Sequence, residues 1–366
     1  MKRILCILLL ICLLLGCSRN ADPTDPTTEP TAAPTQPTEE TTSDPTEAPS
    51  EDPSASTEPS QTPLAYRNPL NGTPIDHPWT ARPFAVVINN IRYAMPQQGV
   101  SQADKIFEIL ADGGITRCLA LFSDLSQVEK LGSLRSARTY LIDLAQAHDA
   151  ILIHVGGSSY ALEQLKSGAV THINALVDTS STFYRDKDRL NAGYAYEHTL
   201  FSSGPALINR ATKWGCTMTR DSGISYNYTF AEEIQLEGEV ANTVKLTFRR
   251  NGKVTTMTYD PDTGLYTGAQ FNETYIDGND GSAMTFRNVL VLYAEMTSKG
   301  ERVFHKTVGE GDGYFACGGV IVPIKWSRAN NGSSFVFTLL DGTPVTLGVG
   351  HSYIGIVPFG SIVSYE

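Results

Sequence analysis

Between Ser18 and Leu64 the chain has almost no large apolar side chain, and that gap decides where a fold can form. Ten of the 20 prolines lie between Pro23 and Pro63, in repeats such as Asp22-Pro23-Thr24-Asp25-Pro26-Thr27. The same stretch holds ten acids against one base, Arg19. Such a composition cannot bury enough apolar surface to offset its ordering entropy, so an extended tether is expected. At ~3.1 Å per residue, about 47 residues would reach well over 100 Å. The fold is therefore confined to residues from about 66 onward, enough chain for two domains of ordinary size.

The segment before the tether reads as an address. Lys2 and Arg3 precede an apolar run from Ile4 to Leu15, then Gly16 and Cys17. The run is short for a bilayer span and suits a signal-peptide core. Leu14-Leu15-Gly16-Cys17 resembles a bacterial lipobox, whose cysteine is diacylated, although Leu15 departs from the small or β-branched residue usual there. The alternatives are an ordinary signal peptide or an uncleaved anchor. Acylation at Cys17 would hold the chain to the outer face of the bacterial cytoplasmic membrane, each buried CH₂ contributing about 0.8 kcal/mol. The expected division is residues 1–16 as lipoprotein signal peptide and 17–65 as lipidated Cys17 plus tether. An α/β domain at 66–222 and a β-rich domain at 223–366 follow.

The formal net charge of -11 belongs mainly to the tether; the residues after it carry 25 bases and 29 acids. No block of Lys or Arg follows the phosphate spacing of a nucleic acid, so no nucleic-acid partner is expected. Three cysteines remain beyond Cys17: Cys118, Cys216 and Cys317. They are widely spaced and odd in number, so small buried hydrophobes are expected rather than disulfides.

Phe84 to Ile88 is a continuous apolar run, as a buried strand requires. Ser101-Gln102-Ala103-Asp104 fits a capping box and predicts a helix to about Ala111. A second strand is expected at 115–122. A helix from about Arg135 through Tyr140, Leu141, Leu144 and Ala145 leads to a strand at 150–155. Gly156-Gly157-Ser158-Ser159 opens the next helix, with Leu162 and Leu165 facing inward. Alternating strands and helices predict a three-layer α/β domain. Beyond residue 223 the period becomes two. Val244 to Phe248, 254–259, 288–295, 319–326, 335–340 and 353–358 predict a β-rich domain, a sandwich or a barrel. The whole is thus expected to be an α+β two-domain chain.

Three features in the first region can carry chemistry. Gly156, Gly157 and Ser158 could offer amides to an anion, or form a tight turn with Ser158 as N-cap. In Arg135-Ser136-Ala137-Arg138 the two arginines would share a helical face, with Arg117 as a possible third. They would grip a carboxylate or phosphate, or pair with Asp143, Asp104, Glu108 or Asp149. His154 ends a strand, where open α/β sheets bind ligands, and is either a core histidine or an acid–base with a nearby carboxylate. In the second region, Asp277-Gly-Asn-Asp-Gly-Ser reads as a turn rather than a calcium loop. Trp326, Tyr314, Tyr353, Tyr226 and Tyr228 read as core rather than as a sugar-stacking face. No nucleophile elbow, zinc motif or nucleotide loop is present, so no metal, cofactor or enzyme class is read.

Ser101-Gln-Ala-Asp-Lys-Ile-Phe-Glu108, Gly113-Gly-Ile-Thr-Arg117, Gly132-Ser-Leu-Arg-Ser-Ala-Arg138 and His154-Val-Gly-Gly-Ser158 resemble successive motifs of YerB-like bacterial lipoproteins, the DUF3048 family. The likeness resumes in Phe286 to Leu292, Gly309 to Tyr314, Pro323 to Ser327 and Tyr353 to Pro358. It implies an α/β first domain, a β-rich second domain and an envelope address, and no catalytic residue. One position departs: Tyr275 stands where the family pattern has a histidine. The function expected is a surface-tethered binding module for an anionic ligand, such as a cell-wall polymer fragment. Its site would be Arg117, Arg135, Ser136, Arg138, His154, Gly156, Gly157 and Ser158. The alternatives are an envelope hydrolase or transferase using His154, and a scaffold for a membrane protein partner in the envelope.

Overall fold

The computed structural model describes residues 66–250 and 252–366; the leader, Cys17 and the whole tether lie outside them. The described residues are strand-rich. The first run forms β1 (Phe84–Asn90), buried along its whole length. β2 (Lys105–Leu110) and β3 (Thr116–Phe122) are equally buried. After α1 (Thr139–Ala147) come β4 (Ile151–His154), α2 (Ser159–Lys166) and β5 (His172–Asn174). Two later hairpin strands are β6 (Thr243–Thr247) and β7 (Val254–Asp260), continued by β8 (Leu265–Gln270). The last long strands are β9 (Asn288–Ala294), β10 (Gly309–Cys317), β11 (Val320–Arg328), β12 (Ser352–Pro358) and β13 (Ile362–Tyr365).

One sheet of 11 strands runs through both halves of the chain, with the core order β11-β10-β9-β12-β2-β3-β1-β4-β5. β12 lies parallel between β9 and β2, so a C-terminal strand sits beside an N-terminal one. The division at 222/223 therefore does not coincide with a break in the sheet. β3 runs antiparallel between β2 and β1, and β4 and β5 continue parallel to β1. Parallel strands in mid-sheet need both faces covered, which is why these segments read as apolar runs.

The cover differs on the two faces. Val87, Phe107, Leu119 and Leu121 face α1 and α2 through Leu141, Leu144, Ala161 and Leu165. Val86, Ile88, Ile106 and Ala120 face Leu246, Phe248, Met257 and Tyr266 from a second sheet containing β13-β6-β7-β8. The layers are helices, central sheet and small antiparallel sheet. Sheet on sheet is sandwich packing, not a barrel. Each fully buried Leu, Val, Ile or Phe contributes roughly 1.5–3 kcal/mol of transfer free energy to these seams.

Two expected helical segments are extended. Residues 105–110, expected as a helix, form β2. Asp104 does not cap; its carboxylate accepts from Asn71 Nδ2 and Ser123 N, both at 2.5 Å. Ladder bonds to β12 and β3 and burial on both faces outweigh helix propensity here. The helix expected from Arg135 starts at Thr139 instead. Arg135 N donates to Val87 O at 2.9 Å, and Ala137 N to Gly156 O at 3.0 Å. Those bonds hold residues 135–138 extended beside β1 and the glycine turn. Arg135 and Arg138 therefore do not share a helical face.

Candidate functional site

The sequence-derived residues lie at one end of the central sheet but are mostly engaged internally. Ser158 caps α2, its Oγ accepting from Ala161 N at 3.2 Å. Gly156 (φ +60°) donates its amide to Asn174 Oδ1 at 2.8 Å. Ser158 N donates to Ala137 O at 3.4 Å. A Cβ on Gly157 would come within 3.3 Å of Ala161, so this glycine permits the close approach of the turn to α2. Gly156, Gly157 and Ser158 thus form a βα turn with a cap. Ser136 is half-buried in the extended segment.

Arg138 donates from Nε to Asp112 Oδ2 at 2.8 Å and pairs through Nη2 at 2.6 Å. Arg302 pairs with the same oxygen at 2.6 Å. Arg135 pairs with Glu197 at 3.2 Å. None of these partners is among the acids expected from sequence; Asp149, for example, pairs with Arg82 at 2.8 Å. Arg117 is buried on β3 among these groups, and its Nε and Nη1 have no hydrogen-bond partner.

His154 is sealed in the core with no exposed surface. Its ring nitrogens contact Gly156 O at 2.7 Å and His172 Nδ1 at 3.0 Å. Burial pushes its pKa down to about 4, with the His172 charge adding to the fall. Both nitrogens are occupied by groups other than a carboxylate, and water cannot reach them. The hydrolase or transferase reading, which required His154 beside an acid in a cleft, is corrected on that ground.

The loop at 277–282 is a turn, as expected. Asp277 Oδ1 accepts from Gly99 N and Asn279 N, and Oδ2 from Ser101 N, all at 2.9 Å. Among the described residues no group of three His, Cys, Asp or Glu is placed to hold a metal. Trp326, Tyr353 and Tyr226 are core residues.

A different site emerges on the other face of β3. A cleft of about 430 Å³ opens beside Asn90, Arg92, Tyr93, Thr116, Lys253 and Phe271. It lies at the carboxyl end of β1, where open α/β sheets place ligands. Beneath it Glu108, on β2, has no exposed surface. Glu108 Oε1 accepts from Asn90 Nδ2 at 2.9 Å and Thr116 Oγ1 at 2.6 Å. Oε2 accepts from Thr255 Oγ1 at 2.8 Å and Tyr353 OH at 2.6 Å. Lys253 Nζ stands 3.5 Å from Oε1 and also donates to Gln270 Oε1. Burial pushes the Lys253 ammonium below its usual range while the Glu108 charge pulls the other way. A buried charge is tolerated when it is paired and hydrogen-bonded, and Glu108 is both.

The network extends sideways. Gln97 Nε2 donates to Asn90 Oδ1 at 2.9 Å and to Asn89 O at 2.8 Å. Tyr275 OH donates to Gln97 Oε1. Tyr275, the residue that departs from the family pattern, is thus a buried strut behind the cleft. The walls are aromatic. Tyr93 is 78% exposed, and the Lys253 ammonium lies 4.1 Å from the Phe271 ring centroid. Phe271 and Asn272 form the two-residue turn between β8 and Glu273–Thr274, with φ of +57° and +64°. Left-handed backbone at both positions is the type I′ hairpin geometry, for which Asn-Gly is the favoured pair. A phenylalanine there is an outlier, and such outliers cluster at functional sites.

Sequence reading missed Asn90, Glu108, Thr116, Lys253, Tyr93 and Phe271. Two signals were present: a carboxylate inside the apolar run Ile106–Leu110, and a bulky aromatic where a turn favours glycine.

Similarity to known proteins agrees with this frame. Two profiles match the chain: "Protein of unknown function (DUF3048) N-terminal domain" over residues 70–217 and the corresponding C-terminal domain over 244–354. The chain belongs to the DUF3048 family. It is 29% identical over 297 residues to the "Putative lipoprotein YerB" of Bacillus subtilis (strain 168), covering 79% of this chain and 86% of that protein. The crystal structure of the YerB protein from Bacillus subtilis matches with a TM-score of 0.71 at 28% identity. That match covers 82% of this chain and 99% of the solved one. The cleft floor combines both family domains: Asn90, Glu108 and Thr116 come from the first, Lys253 and Phe271 from the second. Among the described residues no helix is long and apolar enough to cross a membrane.

Proposed function

We propose that this DUF3048 chain is an envelope-tethered binding module whose ligand sits in the cleft above Glu108. Cys17 and the tether supply attachment to the membrane; the lipobox-like Leu14–Cys17 run and the lipoprotein name of the Bacillus relative support that address. The observation that carries the binding role is a fully paired buried carboxylate network roofed by an open cleft with aromatic walls. Buried polar networks hold a floor rigid, and an aromatic wall offers contact area with few rotors to freeze. Tyr93 and Phe271 suit a sugar face or an acyl or peptide edge.

The charged residues facing the cleft are Arg92 and Lys253. Arg92 is held by Glu273 at 2.8 Å on an exposed surface, a pairing that water and ligand can displace. An anionic group on the ligand, a carboxylate or phosphate of a wall polymer fragment, would meet Arg92 while its apolar face stacks on Tyr93. Calorimetric titration of the full chain in detergent with muropeptides and teichoic-acid fragments tests this. Binding weakened at least tenfold by Tyr93→Ala is expected, about 1.4 kcal/mol. Equal affinity for the wild chain and the Tyr93→Ala/Phe271→Ala variant would overturn it.

A further inference from the structure

The short turn Arg92–Ala94 borders three hollows, of which the cleft is one. Tyr93 lines both the cleft and a second hollow of about 520 Å³, whose other walls include Met95, Tyr194 and His198. Phe271 lines both the cleft and a third hollow of about 220 Å³, which also holds Glu273. Arg92 lines all three. The shared walls make the hollows neighbours around one turn. That turn is pinned: Arg189 donates to Ala94 O at 2.8 Å and to Pro96 O, and Tyr194 OH donates to Met95 O at 2.9 Å. Its backbone carbonyls are thereby satisfied within the protein, while the Tyr93 ring and the Arg92 guanidinium stay exposed.

Charge decides which hollows one anionic ligand can span. The third is the smallest and carries the Glu273 carboxylate, 2.8 Å from Arg92, so it repels an anion. In the second, Asn89 Nδ2 donates to His198 Nδ1 at 2.9 Å, and burial lowers the histidine's pKa, so Arg92 supplies the positive charge. Glu197, 3.6 Å from His198 Nε2, is paired with Arg135 at 3.2 Å. The cleft and the second hollow each match the roughly 300–1,000 Å³ of a complete small-ligand site. Joined across one exposed ring, they hold more than a single unit fills. Their walls combine aromatic faces with the exposed amide of Asn272, which suits a ligand presenting both C–H faces and hydroxyls.

We propose that the ligand is an extended anionic saccharide of at least two repeats, one seated in the cleft and the next in the hollow beyond Tyr93, with a carboxylate at Arg92 between them. This rests on the binding role given to the cleft above. Once the first repeat is seated, the second binds intramolecularly, so its contacts add affinity without a second full loss of translational freedom.

The probes are peptide-free wall glycans of increasing length, from one disaccharide repeat upward, whose lactyl groups supply the carboxylates. They are titrated calorimetrically into the full chain in detergent. Kd should fall at least tenfold from one repeat to two. Ala195 is exposed and lines the second hollow but not the cleft, so Ala195→Glu puts bulk and negative charge there alone. The variant should melt with the wild chain, keep its affinity for one repeat and lose the tenfold gain. Equal affinity for one and two repeats, or a gain that survives in Ala195→Glu, would overturn the extended seat and leave cleft binding standing. A glycerol-phosphate oligomer with the same length dependence and the same loss would overturn the saccharide assignment. Glycans that fail to bind while muropeptides bind would overturn this inference alone; failure of both, and of teichoic-acid fragments, would take the cleft reading with it.

Discussion

Glu108→Gln removes one charge and almost no volume from the floor of the cleft. The wild carboxylate accepts four neutral hydrogen bonds and faces Lys253 at 3.5 Å. The amide oxygen can still accept from Asn90 and Thr116, and the hydroxyls of Thr255 and Tyr353 can rotate to accept from the new amide nitrogen. What cannot be replaced is the negative charge opposite a lysine that is itself buried. Removing one member of a buried pair costs about 3–5 kcal/mol, because the other is left uncompensated. Adding Lys253→Met removes that orphan, so most of the loss should return, leaving the double variant within about 1–2 kcal/mol of the wild chain. Urea unfolding of segment 66–366, followed by fluorescence at constant m-value, measures each corner of the cycle. A coupling energy of at least about 2 kcal/mol is expected. A loss below about 1 kcal/mol in Glu108→Gln, or strictly additive losses, would refute the reasoning that this pair is desolvated and mutually dependent.

Other expectations follow from the same geometry. Lys105 is buried without a hydrogen-bond partner, 4.3 Å from the Tyr228 ring centroid, and burial pushes it down to about 7. The unfolded chain then holds the extra proton between about pH 7 and the ordinary lysine value, so this residue makes stability rise with pH in that window. Unfolding at pH 7 and 9 should show that rise diminished in Lys105→Met by up to about 1.4 kcal/mol per pH unit; equal slopes would contradict it. Burial also holds His148 at about 3 and His154 and His305 at about 4. Unfolding exposes them at about 6.5, so stability is full above that pH and falls as pH drops toward 4. The slope between pH 6.5 and 5 should shrink in His154→Gln by up to about 1.4 kcal/mol per pH unit, and an unchanged slope would mean that His154 is not buried neutral. Phe271→Gly relieves the left-handed strain of the turn, worth about 1 kcal/mol, while deleting a cleft wall. Unchanged or raised stability together with weaker ligand binding is expected; a large loss of stability would show that the ring is a packing residue only.

Much of the fold was legible because burial writes itself into strand composition. Phe84–Ile88, 115–122 and 150–155 were apolar enough to read as covered strands, and the period-two segments after residue 243 were readable from alternation alone. Residues 105–110 were not, because Ser101 and Asp104 imitate a helix cap and Lys105 and Glu108 dilute the apolar run. Both charges are explained only by tertiary partners: Tyr228 for Lys105, and the Asn90–Thr116–Lys253 group for Glu108. The cleft was illegible for the same reason. Its residues come from four segments between 90 and 272, and only the sheet order and the β8 turn bring them together. The arginines could be named from sequence, but Asp112, the partner of Arg138, lies in a glycine-rich turn that spacing gave no reason to choose.

The most direct test of the cleft as the ligand seat is amide chemical-shift mapping of segment 66–366 titrated with a muropeptide or teichoic-acid fragment. Saturable shifts concentrated at Asn90 to Tyr93, Gly114 to Thr116, Lys253 and Phe271 to Asn272 are predicted. Shifts confined to the helix face, or none for any fragment, would contradict the account.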